Sequence, residues 1–159
     1  MTISVGDHIP DATVQVMGAS GPEPKTTADL FKDRRVALFA VPGAFTPTCS
    51  AKHLPGFVKN ADAIKAKGVD AVVCLSVNDA FVMDAWGKDQ GAAGKVIMAA
   101  DGAGALSKAL GLTMDTGAFG GVRSKRYSML VEDGVVKTLN LEDGGGFGVS
   151  SAETLLGQL

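Results

Sequence analysis

Three short apolar runs, separated by segments of helical length, constrain the fold of this chain more than any other feature. They occupy residues 35–41 (RVALFAV), 69–77 (VDAVVCLSV) and 96–100 (VIMAA). Runs with so few polar residues are typical of strands covered on both faces, and such strands usually run parallel. The intervening residues 46–66 and 80–91 have the composition of helices. The sequence therefore predicts βαβ units with right-handed crossovers.

The pattern changes after residue 122. Residues 124–142 (SKRYSMLVEDGVVKTLNLE) contain two extended runs on either side of EDG, which predicts a hairpin of antiparallel strands on the edge of the sheet. Residues 1–33 predict a hairpin or an irregular lead-in, and residues 151–159 a last helix. This order is that of a thioredoxin-like α/β fold, with a central mixed sheet flanked by helices. We predict a single domain over residues 1–159.

Composition restricts the possible partners. The chain has 46% hydrophobic and 20% charged residues and a net charge of −2, with no basic stripe of the kind that nucleic acid requires. No run reaches the roughly 18 to 20 apolar residues that span a bilayer, and the first residues do not resemble a signal peptide. The two cysteines form no CxxC pair, and no cluster of metal ligands is evident. We therefore expect a cytoplasmic protein that binds no nucleic acid, membrane, metal or cofactor.

One cysteine, Cys49, lies in a strand-to-helix turn within VPGAFTPTCS, residues 41–50. The threonines there can cap a helix and Pro47 suits a first helical turn, whereas Pro55 and Gly56 predict a kink further along. In the first turn, free backbone N–H groups and the helix dipole favour an anion. The position predicts a reactive thiol. A buried structural cysteine, the commoner fate of a lone cysteine, is the alternative.

Thr46 is a candidate partner of this thiol. A fast cysteine enzyme needs more than a thiolate, because a thiolate that forms more easily is also a weaker nucleophile. It needs groups that bind the transition state better than the ground state. Thr46 lies three residues before Cys49 and shares its helix face, and its hydroxyl can both donate and accept. The spacing is therefore suitable for holding a bound oxygen.

Pro42, Thr46 and Cys49 together form the pattern PxxxTxxC, which resembles the signature of the peroxiredoxins. The longer VPGAFTPTCSAKHLPGF, and the blocks VVCLSVNDAFVMDAW and RYSMLVEDGVVKTLN, are similar to the peroxiredoxin-5, or type II, branch. The resemblance implies a cysteine peroxidase acting on hydrogen peroxide and organic hydroperoxides. Cys49 would attack the terminal peroxide oxygen and become a sulfenic acid.

The resemblance also implies roles for other residues. Thr46 would hydrogen-bond the peroxide, Pro42 would shield the thiolate, and Arg126 would stabilise the thiolate and the charge that develops as the O–O bond breaks. Phe119 and Gly43 would belong to the substrate pocket. From the residues alone, Arg126 would be a surface ion pair on an edge strand, and core packing is an equal alternative for Phe119.

His53, four residues after Cys49, allows a different interpretation. It could form a Cys–His nucleophile pair with Cys49, as in thiol proteases. A histidine one helical turn away more often orients or caps than abstracts a proton, and peroxide chemistry needs no separate base once the thiolate exists. A structural role for His53 is therefore favoured.

The route by which the sulfenic acid is reduced follows from the other thiol. Some type II relatives carry a resolving cysteine in the loop before the last helix, where this chain has Val149. Cys74 lies in the middle of the second apolar run and is expected to be buried and inert. We therefore expect a one-cysteine cycle with an external thiol, glutathione and then glutaredoxin, with thioredoxin as the second candidate.

Two further expectations concern assembly and class. The resemblance implies a small homodimer. A thiol–disulfide redox relay and a non-enzymatic peroxide sensor are the alternatives to a peroxidase, and the missing CxxC argues against the relay.

Overall fold

Alternating strands and helices make up the chain, of which the computed structural model describes residues 2–144 and 146–159. The strands are β1 Thr13–Gly18, β2 Gly21–Thr26, β3 Arg35–Val41, β4 Ala71–Ser76, β5 Ile97–Ala100, β6 Thr113–Asp115, β7 Val122–Ser124, β8 Tyr127–Glu132 and β9 Val135–Leu141. The α-helices are α1 Thr27–Phe31, α2 Leu54–Ala66, α3 Ala80–Asp89, α4 Ala105–Leu110 and α5 Ala152–Gly157. A π-helical segment, Cys49–His53, leads into α2, and a 3-10 turn, Gly117–Phe119, lies between β6 and β7.

The three predicted apolar strands are confirmed as the parallel centre of a sheet. β3 pairs with β4, with Val36 opposite Ala71, and β4 pairs with β5, with Val73 opposite Ile97. Every residue of β4, and every residue of β3 except Arg35, is buried. Helices cover both faces of these strands, which is why their sequences lack the alternation of a half-exposed strand.

Antiparallel strands complete the sheet on both sides, in the order β2-β1-β5-β4-β3-β8-β9. The predicted hairpin about EDG is formed by β8 and β9, but its placement wholly on the edge was wrong. β8 lies inside the sheet, pairing with β3 on one side and β9 on the other, and only β9 is at the edge. The apolar SMLV run of β8 is buried, as an interior position requires. The expected thioredoxin-like mixed sheet flanked by helices is confirmed.

Each face of the sheet has its own apolar core. On one face, α2, α3 and α5 contribute Phe57, Ile64, Trp86 and Leu155, and Cys49 and Cys74 belong to the same cluster. On the other face, α1 and α4 contribute residues that include Phe31 and Leu110. Both thiols of the chain therefore lie on one side of the sheet.

A helix forms within the predicted range 46–66, but its first turns differ from the single kinked helix that the sequence predicted. Helical structure begins at Pro47, as expected, and then widens into the π-helical segment, in which the Leu54 N–H donates to the Cys49 carbonyl. The widening comes directly before Pro55, which has no N–H to give to the preceding turn. The predicted threonine cap does not form. The Thr46 hydroxyl donates to the Gly43 carbonyl, and the Thr48 side chain makes no capping hydrogen bond.

The sequence did not reveal the β6–β7 hairpin, because its strands are only three residues long. The hairpin carries the turn that contains Phe119. Within the parts of the chain described by the structure, no helix has the length and apolar character needed to cross a bilayer.

Candidate active site

Cys49 is buried at the start of the π-helical segment, where β3 ends and the chain turns back across the sheet. Arg126, directly before β8, donates a hydrogen bond from Nη2 to Cys49 Sγ at 3.0 Å. The two residues are 77 positions apart, and they meet because β8 is the antiparallel neighbour of β3. A guanidinium is permanently charged, so the contact puts a fixed positive charge beside the sulfur. The sequence-based interpretation of Arg126 as a surface ion pair is wrong, since the residue is only 7% exposed.

His53 holds the other side of the same guanidinium. Arg126 Nη1 lies 2.8 Å from His53 Nδ1, and because a guanidinium only donates, Nδ1 must accept. His53 Nε2 lies 2.9 Å from the Ser150 carbonyl and therefore carries the proton. Burial and the Arg126 charge lower the pKa of His53 from 6.5 to about 3, so the ring is neutral. With both nitrogens bonded elsewhere, His53 does not form the Cys–His pair considered as an alternative.

A carboxylate in the loop after β9 continues this network. Glu142 Oε2 accepts hydrogen bonds from Ser150 N at 2.8 Å, Ser150 Oγ at 2.6 Å and Gly148 N at 2.7 Å. Burial acts to raise the pKa of Glu142, but hydrogen bonds from Gly148, Ser150 and Val149 outweigh it and leave the pKa lowered. Glu142 is thus an ionised anchor for the chain that carries Ser150.

An aromatic side chain covers this network. The Phe147 ring meets the His53 ring edge-on at 5.1 Å, and Arg126 Cζ lies 5.9 Å from its centroid. The Phe39 ring packs against His53 at 5.0 Å. An apolar surround of this kind strengthens the hydrogen bonds between the polar groups inside it.

The loop from β3 to Cys49 brings the other predicted site residues together. The Thr46 hydroxyl donates to the Gly43 carbonyl at 2.7 Å, one turn before Cys49, instead of capping the helix. A Cβ on Gly43 would lie 3.1 Å from Thr46 Cγ2, so this close approach favours glycine. Pro42 directly precedes Gly43, and the loop is tied to the end of β4 because Ala44 N donates to the Asn78 side chain at 3.0 Å.

Phe119 lies on the β6–β7 hairpin and is 78% exposed, so its interpretation as core packing is wrong. Arg123 fastens the hairpin beside the active-site loop. Its Nε donates to the Gly120 carbonyl at 2.9 Å and its Nη1 to the Val77 carbonyl at 2.8 Å, next to Asn78. The exposed ring is therefore carried by a turn anchored near the loop that holds Cys49.

The second thiol, Cys74, has a different environment. It lies in β4, is fully buried and is free, and burial raises the pKa of its thiol far above the usual range. Val149, at the position where some relatives carry a resolving cysteine, is half exposed in the loop before α5. The predicted burial of Cys74 is confirmed.

Sequence reasoning missed Glu142, Phe147 and Ser150, and it favoured a structural role for His53 without identifying Arg126 as its partner. Glu142 and Ser150 are separated from Cys49 by about ninety positions or more and stand in a glycine-rich loop with no recognisable motif. The only available signal was His53, whose spacing from Cys49 placed it on the same side of the helix.

Comparisons with known proteins agree with this geometry. A family model described as Redoxin matches residues 4–156. The chain is 54% identical to Peroxiredoxin-2E-2, chloroplastic, from Oryza sativa subsp. japonica, over 98% of this chain and 72% of the relative. A crystal structure of reduced Prx3 from Vibrio vulnificus in complex with hydrogen peroxide superimposes with a TM-score of 0.96 at 51% identity and covers 99% of both chains. Peroxiredoxin 5 from Alvinella pompejana gives a TM-score of 0.84 at 35% identity, over 97% of this chain and 96% of that one.

Proposed function

Since the chain belongs to the peroxiredoxin family, with a Redoxin match over residues 4–156, we propose that it reduces hydrogen peroxide and organic hydroperoxides through Cys49. The observation that carries the proposal is the 3.0 Å hydrogen bond from Arg126 to the Cys49 sulfur, in a buried site at a helix start. A cysteine kept only for packing has no use for a buried guanidinium on its sulfur. Thiol-dependent peroxide reduction is the activity that the family suggests.

In the proposed reaction the Cys49 thiolate attacks the terminal oxygen of the peroxide. An S–O bond forms as the O–O bond breaks, and the electron pair leaves on the distal oxygen, which takes a proton and departs as water or an alcohol. Cys49 is oxidised to a sulfenic acid and the peroxide is reduced. Arg126 stabilises the thiolate and the negative charge that grows on the departing oxygen.

Thr46, Pro42 and Gly43 position the peroxide in this proposal. The Thr46 hydroxyl proton already points to the Gly43 carbonyl, so Thr46 Oγ1 has lone pairs left to accept a hydrogen bond from the peroxide O–H. Pro42 shields the sulfur from water, and Phe119 provides an apolar contact for organic hydroperoxides at the pocket mouth.

The assay follows hydroperoxide consumption by reduced protein with an added thiol reductant. Wild type should turn over and Cys49→Ser should not. Cys74→Ser is the matched control, because it makes the same atomic change at the other buried cysteine. Full activity in Cys49→Ser would contradict the proposal.

We further propose that the chain belongs to the type II branch and uses a one-cysteine cycle. Similarity to peroxiredoxin 5 supports the branch. The cycle is supported by the burial of Cys74 and by Val149 in the loop before α5. The sulfenic acid would condense with glutathione to a mixed disulfide, releasing water, and glutaredoxin would reduce that disulfide; thioredoxin is the second candidate.

Intact mass spectrometry tests this cycle. Protein treated with one equivalent of peroxide and then glutathione should carry one glutathione on Cys49, and Cys74→Ser should behave identically. A rapid internal disulfide in wild type, with turnover lost in Cys74→Ser, would make Cys74 the resolving residue instead.

We also propose that the protein is a homodimer and is located in the cytoplasm. Exposed Phe45, Phe81 and Phe119 provide apolar surface that a second copy could cover. Analytical ultracentrifugation of reduced protein should give a dimer, and a 16.2 kDa species alone at micromolar concentration would contradict it. Fractionation of source cells tests the location, and the rice relative is named as chloroplastic.

A further inference from the structure

Four residues around the Cys49 thiol form a closed ring of hydrogen bonds. Arg126 contacts His53 through Nη1, His53 contacts the Ser150 carbonyl through Nε2, and Ser150 donates twice to the Glu142 carboxylate. The ring closes through the main chain, because the Glu142 N–H donates to the Arg126 carbonyl at 3.1 Å. The loop after β9 is thereby connected to the guanidinium that binds the sulfur.

The ring controls where the Arg126 side chain can point. Arginine has many rotamers, and the one observed here gives Cys49 Sγ a hydrogen bond of 3.0 Å. His53 favours this rotamer by accepting from Arg126 at Nδ1, and the hydrogen bond that its Nε2–H donates to the Ser150 carbonyl favours the tautomer and ring orientation in which Nδ1 accepts. Glu142 in turn fixes Ser150 by binding both its N–H and its hydroxyl.

We propose that Glu142, acting through Ser150 and His53, is a positioning residue that holds Arg126 against the Cys49 sulfur, so that the loop after β9 sets the reactivity of the thiol. The effect that we expect on peroxide turnover rests on the proposed peroxidase function. It assigns no contact with peroxide to Glu142, Ser150 or His53. His53, Arg126 and Ser150 are buried, and Glu142 is partly exposed. Hydrogen bonds among buried polar groups fix one geometry, which reaction at a single sulfur requires.

Comparison of Glu142→Ala with Glu142→Gln tests whether the rate depends on an acceptor oxygen at this position. Alanine removes the acceptor for all three donors, and we expect the second-order rate constant with hydrogen peroxide to fall at least tenfold. Glutamine retains one oxygen that can occupy the same place, so its rate should stay within about threefold of wild type. Asp143→Ala, an exposed neighbour with the same change in charge, is the matched control and should leave the rate unchanged.

Three readouts distinguish positioning from a loss of fold. Alkylation of Cys49 by iodoacetamide at one fixed pH should slow in Glu142→Ala while Glu142→Gln follows wild type. The ¹⁵N spectrum of His53 should show an unprotonated Nδ1 and a protonated Nε2 in wild type and lose this assignment in Glu142→Ala. Circular dichroism and the urea midpoint report whether each variant is folded.

A second pair keeps the proposal testable if Glu142→Ala does not fold. His53→Gln can accept from Arg126 and donate to Ser150, whereas His53→Phe fills the same space without either bond. We expect near-wild-type alkylation in His53→Gln and a tenfold loss in His53→Phe. Equal reactivity of this pair, or alkylation and peroxide rates of Glu142→Ala within twofold of wild type, would overturn the proposal.

Failure of the peroxidase function would look different. Wild type would then consume no hydroperoxide at all. The alkylation rates and the His53 spectrum would still report whether the ring positions Arg126.

Discussion

The neutral, buried His53 predicts a specific dependence of stability on pH. Its ring is fully buried, and burial together with the Arg126 charge lowers the pKa from 6.5 to about 3 in the folded protein. In the unfolded chain the ring is solvated and takes up a proton below about pH 6.5. Between these two values the unfolded state binds more protons than the folded state, so the stability falls as the pH falls.

The size of the effect follows from the two pKa values. Between pH 7.5 and pH 5 the unfolded state gains about 2 kcal/mol from protonation of this one histidine, and the full difference below pH 3 would approach 5 kcal/mol. Above pH 7.5 the contribution is constant. The comparison ends at pH 5 because carboxylates such as Glu142, whose pKa is lowered, also begin to destabilise the folded state below that value.

The measurement is urea unfolding of reduced protein, followed by circular dichroism at pH 7.5 and pH 5. Wild type should lose about 2 kcal/mol of unfolding free energy between the two values, whereas His53→Gln, which does not titrate, should lose little. The only other histidine, His8, is exposed, and His8→Gln should behave like wild type. If wild type and His53→Gln lose the same amount, the neutrality of His53 in the folded protein is refuted.

Three further predictions concern the loop and the pocket mouth. Thr46→Val should raise the barrier for peroxide reduction by about 2 to 4 kcal/mol, the range for losing one polar contact to a transition state. The rate of Cys49 alkylation by iodoacetamide should stay nearly unchanged. Equal losses in both rates would mean that Thr46 acts on the thiolate. Gly43→Ala, whose Cβ would lie 3.1 Å from Thr46 Cγ2, should displace Thr46 and lower the peroxide rate several-fold, as stopped-flow measurement on reduced protein would detect. Phe119→Ala should change unfolding free energy by less than about 0.5 kcal/mol, because the ring is 78% exposed, and should raise KM for cumene hydroperoxide more than for hydrogen peroxide.

The parallel centre of the sheet was predictable because its signal is local and strong. Residues 71–76 and most of residues 35–41 are buried on both faces, and continuous apolar sequence follows directly from that burial. The position of β8 within the sheet was harder to predict, since an apolar run indicates burial but does not indicate which strands lie on its two sides. The β6–β7 hairpin and the π-helical segment were missed because neither has a sequence period long enough to detect.

The residues of the candidate site also differ in how well the sequence could predict them. Pro42, Gly43, Thr46 and Cys49 lie within eight residues, so a motif and helix geometry are sufficient to group them. Arg126 came only from the family resemblance, because its contact with Cys49 depends on the pairing of β3 with β8. Glu142 had neither a motif nor a resemblance to identify it.

The two cysteines show why burial alone does not decide whether a thiol is reactive. Cys49 and Cys74 are both fully buried in the same apolar cluster. Burial raises the pKa of Cys74 and keeps it a thiol, because a low-dielectric surround penalises the charged form and the nearby Arg126 charge offsets this only in part. Cys49 differs by its place at the start of the π-helical segment and by the Arg126 guanidinium, whose Nη2 lies 3.0 Å from its sulfur. Reactivity at Cys49 therefore depends on how that guanidinium is held, and the ring through His53, Ser150 and Glu142 is what holds it.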